Sequence, residues 1–218
     1  MSGKIKALIF DMDGVLVDSE GFYLDLFSEL IRSHGGEVDR NILYTIPGAS
    51  ADRTWEIIAT MWPEPAEPAR LRALFHETYP DYCPPYGEIM YPEVPQVLRE
   101  LKDAGYQLAL ASSTAMNFIE IMLDETGLRP LFTSVLSGRM FKESKPHPQI
   151  YLQSAAALGV DPSACVAVED SPYGILAGKN AGMTGIARRE ERLAFDQSRA
   201  DAQIDDLSDL PDMLDALS

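Results

Sequence analysis

Short, unbroken apolar runs, spaced along the chain with helical patterns between them, limit its folding options more than any other feature. Ala7-Leu8-Ile9-Phe10, Leu108-Ala109-Leu110-Ala111 and Val166-Ala167-Val168 contain no polar residue. A strand with one wet face alternates apolar and polar side chains. A continuous run instead suits a strand covered on both faces, as in a parallel sheet. Shorter runs recur near Ser134-Val135-Leu136 and Gly185-Ile186-Ala187. Between them, Val97, Leu98 and Leu101 stand at helical spacing before Gly105. Ile119, Met122 and Leu123 do so before Gly127, and Ile150, Tyr151, Ala155 and Leu158 before Gly159. Glycine just past a periodic segment is a helix stop. Strands alternating with helices imply the α/β class, with a parallel sheet and right-handed crossovers.

The stretch from Gly21 to Met90 breaks that rhythm. Helical patterns cover Phe22 to Ser33, Asp52 to Met61 and Pro68 to Tyr79, and the proline-rich segment from Trp62 to Pro68 links the last two. Pro84-Pro85-Tyr86-Gly87 and Tyr91-Pro92-Glu93 mark a second boundary. The reading is a two-part chain: residues 1–18 and 92–218 form an α/β core, and 19–91 are a small helical insertion after its first strand. Trp55 and Trp62 are expected in the insertion's own core.

Composition narrows the function classes. With 18 Lys and Arg against 34 Asp and Glu, the net charge is −16. Nucleic-acid binding needs a basic stripe, and attachment to an anionic membrane needs basic clusters, so neither partner is expected. No apolar stretch approaches the roughly 20 residues of a membrane span. Met1 to Phe10 meets Asp11 and Asp13 too soon for a secretory signal. Cys83 and Cys165 have no metal-type spacing, so reduced thiols and a cytoplasmic location are expected. One core plus an insertion can work as a monomer.

Four polar clusters carry the chemistry. Asp11-Met12-Asp13-Gly14 follows the first strand, at the sheet edge where open α/β proteins place ligands. One carboxylate can be a nucleophile or metal ligand while the other handles a proton. The pair alone fits a solvated acidic turn equally well. Ser112-Ser113-Thr114 lies between a strand and a helix, where hydroxyls and free N–H groups make an anion site or simply an N-cap. Lys145-Pro146 precedes a helix, and the lysine offers a point charge to a phosphoryl oxygen; an isolated Lys-Pro would read as surface. Glu169-Asp170 follows Val166-Ala167-Val168, as a pair of loop acids or as ligands for a hard cation such as Mg²⁺.

Taken in order, these clusters resemble the haloacid dehalogenase-like (HAD) superfamily, and in particular its small-molecule phosphatases and β-phosphoglucomutase-like members. The likeness rests on Asp11-Met12-Asp13-Gly14-Val15-Leu16-Val17-Asp18-Ser19-Glu20, Ala111-Ser112-Ser113, Ser144-Lys145-Pro146 and Val168-Glu169-Asp170-Ser171, extended by Gly174, Ala177-Gly178 and Ala181-Gly182-Met183. It implies a Rossmann-like parallel sheet flanked by helices, with the insertion as a mobile helical cap hinged near Val17 to Glu20 and Met90 to Pro92. It also implies Mg²⁺ as cofactor and a small phosphorylated metabolite as substrate. Asp11 would be the nucleophile that becomes an aspartyl-phosphate, and Asp13 the acid and then the base. Asp11, Asp170 and the main-chain carbonyl of Asp13 would hold the metal, while Glu169 would either bind it or orient a ligand and Lys145. Lys145, Ser112 and Ser113 would hold the phosphoryl group. Gly48 and Ser50, in the loop Pro47-Gly48-Ala49-Ser50, would face the substrate.

The resemblance leaves hydrolysis and mutase activity to be separated. The β-phosphoglucomutase pattern has the cap loop Lys-Gly-Val-Ser-Arg and a histidine after the first motif. This chain has Pro47-Gly48-Ala49-Ser50-Ala51 and Tyr23, with Arg53 nearby. The missing cations favour a phosphatase, with a phosphosugar mutase as the alternative. Asp13 argues against dehalogenation, because a halide leaves without a proton. A non-catalytic phospho-acceptor module ranks below both enzymes.

Overall fold

The computed structural model describes residues 5–47, 51–80, 82–193 and 195–217. Its framework is a parallel sheet of six strands: β1 (Ala7–Phe10), β2 (Gln107–Ser112), β3 (Ser134–Ser137), β4 (Cys165–Glu169), β5 (Thr184–Arg188) and β6 (Ala202–Ile204). They lie in the order β3-β2-β1-β4-β5-β6, with every pairing parallel. Helices alternate with them: α1 (Ser19–Ser33), α2 (Arg40–Leu43), α3 (Ala51–Thr60), α4 (Pro68–Thr78), α5 (Tyr86–Ile89) and α6 (Val94–Asp103) fall between β1 and β2. Then α7 (Met116–Thr126) follows β2, α8 (Gln149–Leu158) follows β3, α9 (Pro172–Asn180) follows β4, and α10 (Leu210–Ala216) follows β6. The five expected strands are all present. β6 is an addition, and its three residues are too few to show a pattern in the sequence.

Side-chain size explains how the central strands are covered. Ala7, Ile9, Ala109, Ala111, Cys165 and Ala167 share one face and are mostly small. That lets α8 and α9 come close, burying Ile150, Tyr151, Ala155, Leu158 and Ala177 against them. The opposite face carries Leu8, Phe10, Leu108, Leu110, Val166 and Val168, all buried. Both faces are dry, which is why the strands read as unbroken apolar runs.

Register then places the site. β1 is central, with β2 on one side and β4 on the other. The chain reverses its direction of travel across the sheet at β1, and the space beyond the carboxyl ends of its strands is the expected ligand crevice of such a sheet. Phe10 pairs with both Leu110 and Val168. The residues just after these three strands are therefore neighbours in space.

The chain divides into two compact units: Met1–Asp18, Pro85–Glu190 and Phe195–Ser218 in the first, Ser19–Pro84 and Glu191–Ala194 in the second. The second boundary falls before the expected 91/92. The reason is α5, which packs on α7, with Gly87 N–H donating to Glu125 Oε2 at 3.3 Å. The second unit has an aromatic centre of its own, where Phe27 meets Trp55 and Phe75 at ring separations of 5.7 and 5.4 Å. Trp55 is buried there. Trp62 is only half-buried, and its ring lies against His34. Among the described residues, no helix is long and apolar enough to cross a membrane.

Candidate active site

Asp11 is the first residue beyond β1, and its N–H donates to Val168 O at 2.9 Å, which ties it to the end of β4. The chain then turns tightly. Leu16 and Val17 donate to Met12 O, and Gly14 donates to Val17 O. Gly14 has φ +73°, and a Cβ there would lie 2.0 Å from Asp170 Oδ2. No side chain fits between the first acidic loop and Asp170, so the glycine is needed for both its conformation and its bareness.

Lys145 joins three strand ends. Its Nζ donates to Asp11 Oδ1 at 2.6 Å, to Glu169 Oε1 at 2.6 Å and to Ala111 O at 2.9 Å. Those bonds use all three of its protons. Its side chain is only 8% exposed, so the ammonium is nearly dry. Glu169 Oε1 also accepts from the Tyr151 hydroxyl, and Oε2 accepts from Ser171 Oγ at 3.3 Å. Ser171 in turn caps α9 by accepting from Gly174 N–H at 3.0 Å. A Cβ on Gly174 would fall 2.0 Å from the Glu169 carboxyl atoms, so the first turn of α9 can pass this carboxylate only as glycine.

Asp11, Glu169 and Asp170 are all buried, and each offers an oxygen within 4.8 Å of the others. Burial raises the Asp11 carboxyl to about 8; Glu169 and Asp13 push the same way, while Lys145 opposes them. Burial alone would lower Lys145, but the Asp11 and Glu169 charges outweigh it and keep the ammonium protonated above its ordinary value. Burial and the same two carboxylates push Tyr151 well above the usual phenol range, so it is a neutral hydroxyl donor. Three buried acids face one ammonium, and the surplus is negative.

Asp13 sits apart from this trio. Its Oδ2 accepts from Thr114 Oγ1 at 2.7 Å and from Ser112 Oγ at 3.3 Å. Thr114 N–H donates to Ser112 Oγ at 3.0 Å, and Thr114 O accepts from Ser137 Oγ at 2.6 Å. The loop after β2 thus holds the second aspartate through two side-chain hydroxyls. Ser112 is buried in this cluster, while Ser113 is exposed. Gly48 and Ser50 lie outside the described residues. Arg53, the nearby cation of the α3 region, pairs with Glu56 at 2.8 Å on an exposed surface.

Two partners were not visible in the sequence. Tyr151 stands in a helical apolar pattern that correctly marks it as core, but periodicity says nothing of where its hydroxyl points. Thr114 belongs to the Ser112-Ser113-Thr114 cluster, yet its bond to Asp13 depends on how two loops meet.

The model of the haloacid dehalogenase-like hydrolase family matches residues 5–182. The chain belongs to this family. Hexitol phosphatase B of Escherichia coli K12 is 35% identical over 193 residues, covering 84% of this chain and 83% of the relative. The structure of a HAD family hydrolase from Deinococcus radiodurans R1, with bound phosphate and sodium, has a TM-score of 0.80 at 25% identity and covers 98% of this chain and 96% of the other. CbbY from Rhodobacter sphaeroides in complex with phosphate has a TM-score of 0.69 at 27% identity, with coverage of 94% and 96%. For this haloacid dehalogenase-like hydrolase, the family match spans all the acidic residues described above and Lys145.

Proposed function

We propose that this hydrolase is a Mg²⁺-dependent phosphatase that cleaves a small phosphorylated metabolite, of the sugar or hexitol phosphate kind, through an aspartyl-phosphate. The observation that carries the reading is the Lys145 ammonium, shared at 2.6 Å by Asp11 and Glu169 beside Asp170. The 35% identity to a hexitol phosphatase supports the substrate class.

The donor set fits Mg²⁺. It is all oxygen, buried and more negative than one lysine can balance, which suits a hard divalent cation. Asp11 and Asp170 would hold it, with the Asp13 carbonyl. Glu169, whose oxygens already accept from Lys145, Tyr151 and Ser171, would orient Lys145. When bound, Mg²⁺ supplies positive charge that keeps Asp11 ionised and draws electron density from the phosphoryl oxygens.

The remaining steps belong to the chain. Asp11 attacks phosphorus as the ester P–O bond breaks, and Asp13 gives its proton to the leaving oxygen. Lys145 balances charge on the transferring group, and Ser112 and the backbone N–H groups after it hold phosphoryl oxygens, Ser113 among them. Water then attacks the aspartyl-phosphate, Asp13 takes its proton, and Asp11 is released. The helical unit Ser19–Pro84 would be the cap that selects substrate and excludes water. A cytoplasmic monomer is part of this reading, in keeping with two cysteines, Cys83 and Cys165, that form no disulfide.

The test is phosphate release from hexitol and sugar phosphates with Mg²⁺ present. Multiple turnovers by the wild type, lost with a chelator and lost in a folded Asp11→Asn variant, support the reading. Full activity in Asp11→Asn overturns it. So does conversion of β-glucose 1-phosphate to glucose 6-phosphate, primed by a bisphosphate, at rates far above hydrolysis.

A further inference from the structure

We propose that Gln197 and Arg188 are positioning residues, a clamp supplied by the segment after β5 that fixes the loops carrying Asp13 and Asp170. Gln197 lies beyond the family match, which ends at residue 182, in a connection without regular structure. It is nevertheless only 6% exposed. Its Nε2 donates to Asp170 O at 2.6 Å and to Arg188 O at 2.7 Å. An amide nitrogen has two protons, so both are used. One bond fixes the backbone of a proposed metal ligand, and the other ties that backbone to the end of β5.

Arg188 extends the connection to the other loop. Its Nη1 donates to Gly14 O at 3.2 Å, and its guanidinium carbon lies 3.6 Å from the centroid of the Tyr91 ring. Stacking on an aromatic face holds the guanidinium plane in place. Gly14 is the residue that has no room for a side chain against Asp170. Gln197 and Arg188 therefore brace, from outside, the place where the two acidic loops touch. Tyr91 N–H also donates to Leu16 O at 3.1 Å, so the segment under the guanidinium is bonded to the same loop. The bonds they make run to backbone carbonyls, of Asp170, Arg188 and Gly14. Their effect is on where the carboxylate oxygens point, and on how well the acids share a cation.

The clamp rests on the functional reading above, and its test separates the two. Mg²⁺ binding to the whole protein is measured by calorimetry, with no substrate present. Gln197→Met is expected to weaken Mg²⁺ binding about 10–100-fold, as loss of a contact that orients a ligand does. Gln197→Asn keeps the amide but retracts it by one methylene; it gives the same direction and decides the question if the methionine variant does not fold. Lys179→Met breaks the Lys179–Asp201 pair that anchors the same connection, yet is expected to leave Mg²⁺ affinity unchanged. Wild-type affinity in a folded Gln197 variant overturns the clamp and leaves the phosphatase reading standing. An equal loss in Lys179→Met also overturns it, since general loosening of the segment would then suffice. Wild-type protein that neither binds Mg²⁺ nor releases phosphate overturns both.

Discussion

Lys145 brings one ammonium to Asp11, Glu169 and the Ala111 carbonyl, so its removal does more than delete a contact. In Lys145→Met, Glu169 and Asp11 would remain buried with no ammonium between them. Breaking one partner out of a buried pair costs about 3–5 kcal/mol, and a urea titration of the metal-free variant is expected to show a loss of that size. Asp13 is held by Thr114 and Ser112, and the proposed reaction has it protonate the leaving oxygen. Asp13→Asn is expected to slow hydrolysis of alkyl phosphates by about 10²–10⁴-fold. Aryl phosphates, whose leaving groups need no proton, should suffer less in their first transfer, which rapid-quench kinetics on the two substrate types would show. Unchanged rates on alkyl phosphates would remove Asp13 from the acid role. At this scale much of the site is legible in the sequence. Asp11, Ser112 and Glu169 each stand at or just past the end of an apolar run, and parallel pairing brings such ends together. Tyr151 and Gln197 are not legible, because what matters in each is one polar group aimed across the fold.

Helix α9 begins where the last acidic motif ends, and its first turn is built around Glu169. Ser171 both caps the helix and donates to Glu169, and Gly174 leaves room for the carboxyl group. Gly174→Ala puts a methyl group 2.0 Å from that carboxylate. Overpacking of this kind costs about 1–3 kcal/mol, so the variant should show a lowered thermal midpoint together with weaker activity. Activity retained at full level would mean that Glu169 can move without consequence. The connection from β5 to β6 contributes a pH dependence. Burial pushes the Asp201 carboxyl up, but hydrogen bonds from Lys179 and Gly185 N–H and the Lys179 charge outweigh it, so the folded value lies below the ordinary one. A carboxyl depressed on folding stabilises the native state above its unfolded pKa of about 4 and loses that contribution as pH falls through the folded value. Wild type should therefore exceed Lys179→Met in thermal midpoint at neutral pH, and the gap should close in acid. A gap that does not change with pH would assign the pair no linkage. Among the elements, the buried strands and the longer helices were readable from periodicity. Helix α5 was not: its four residues lie among prolines that read as a boundary, and only packing on α7 assigns them to the core unit.

At the scale of the whole chain, the net charge and the charges of the site are separate matters. The net charge of −16 describes the surface, while the reaction depends on how a few buried charges balance in one place. The sheet order creates that place by reversing the chain's direction at β1. The second unit contributes an aromatic core of its own, and the orientation of its side chains could not be read from the sequence. In the proposed reaction Asp11 itself carries the phosphoryl group during turnover. The most direct measurement is acid quench of the enzyme during steady-state hydrolysis of an aryl phosphate with Mg²⁺, followed by peptide mass spectrometry. One phosphoryl group is expected on the peptide containing Asp11, absent when Asp11 is asparagine. Rapid turnover with no label on Asp11, or with the label on another residue, would contradict it.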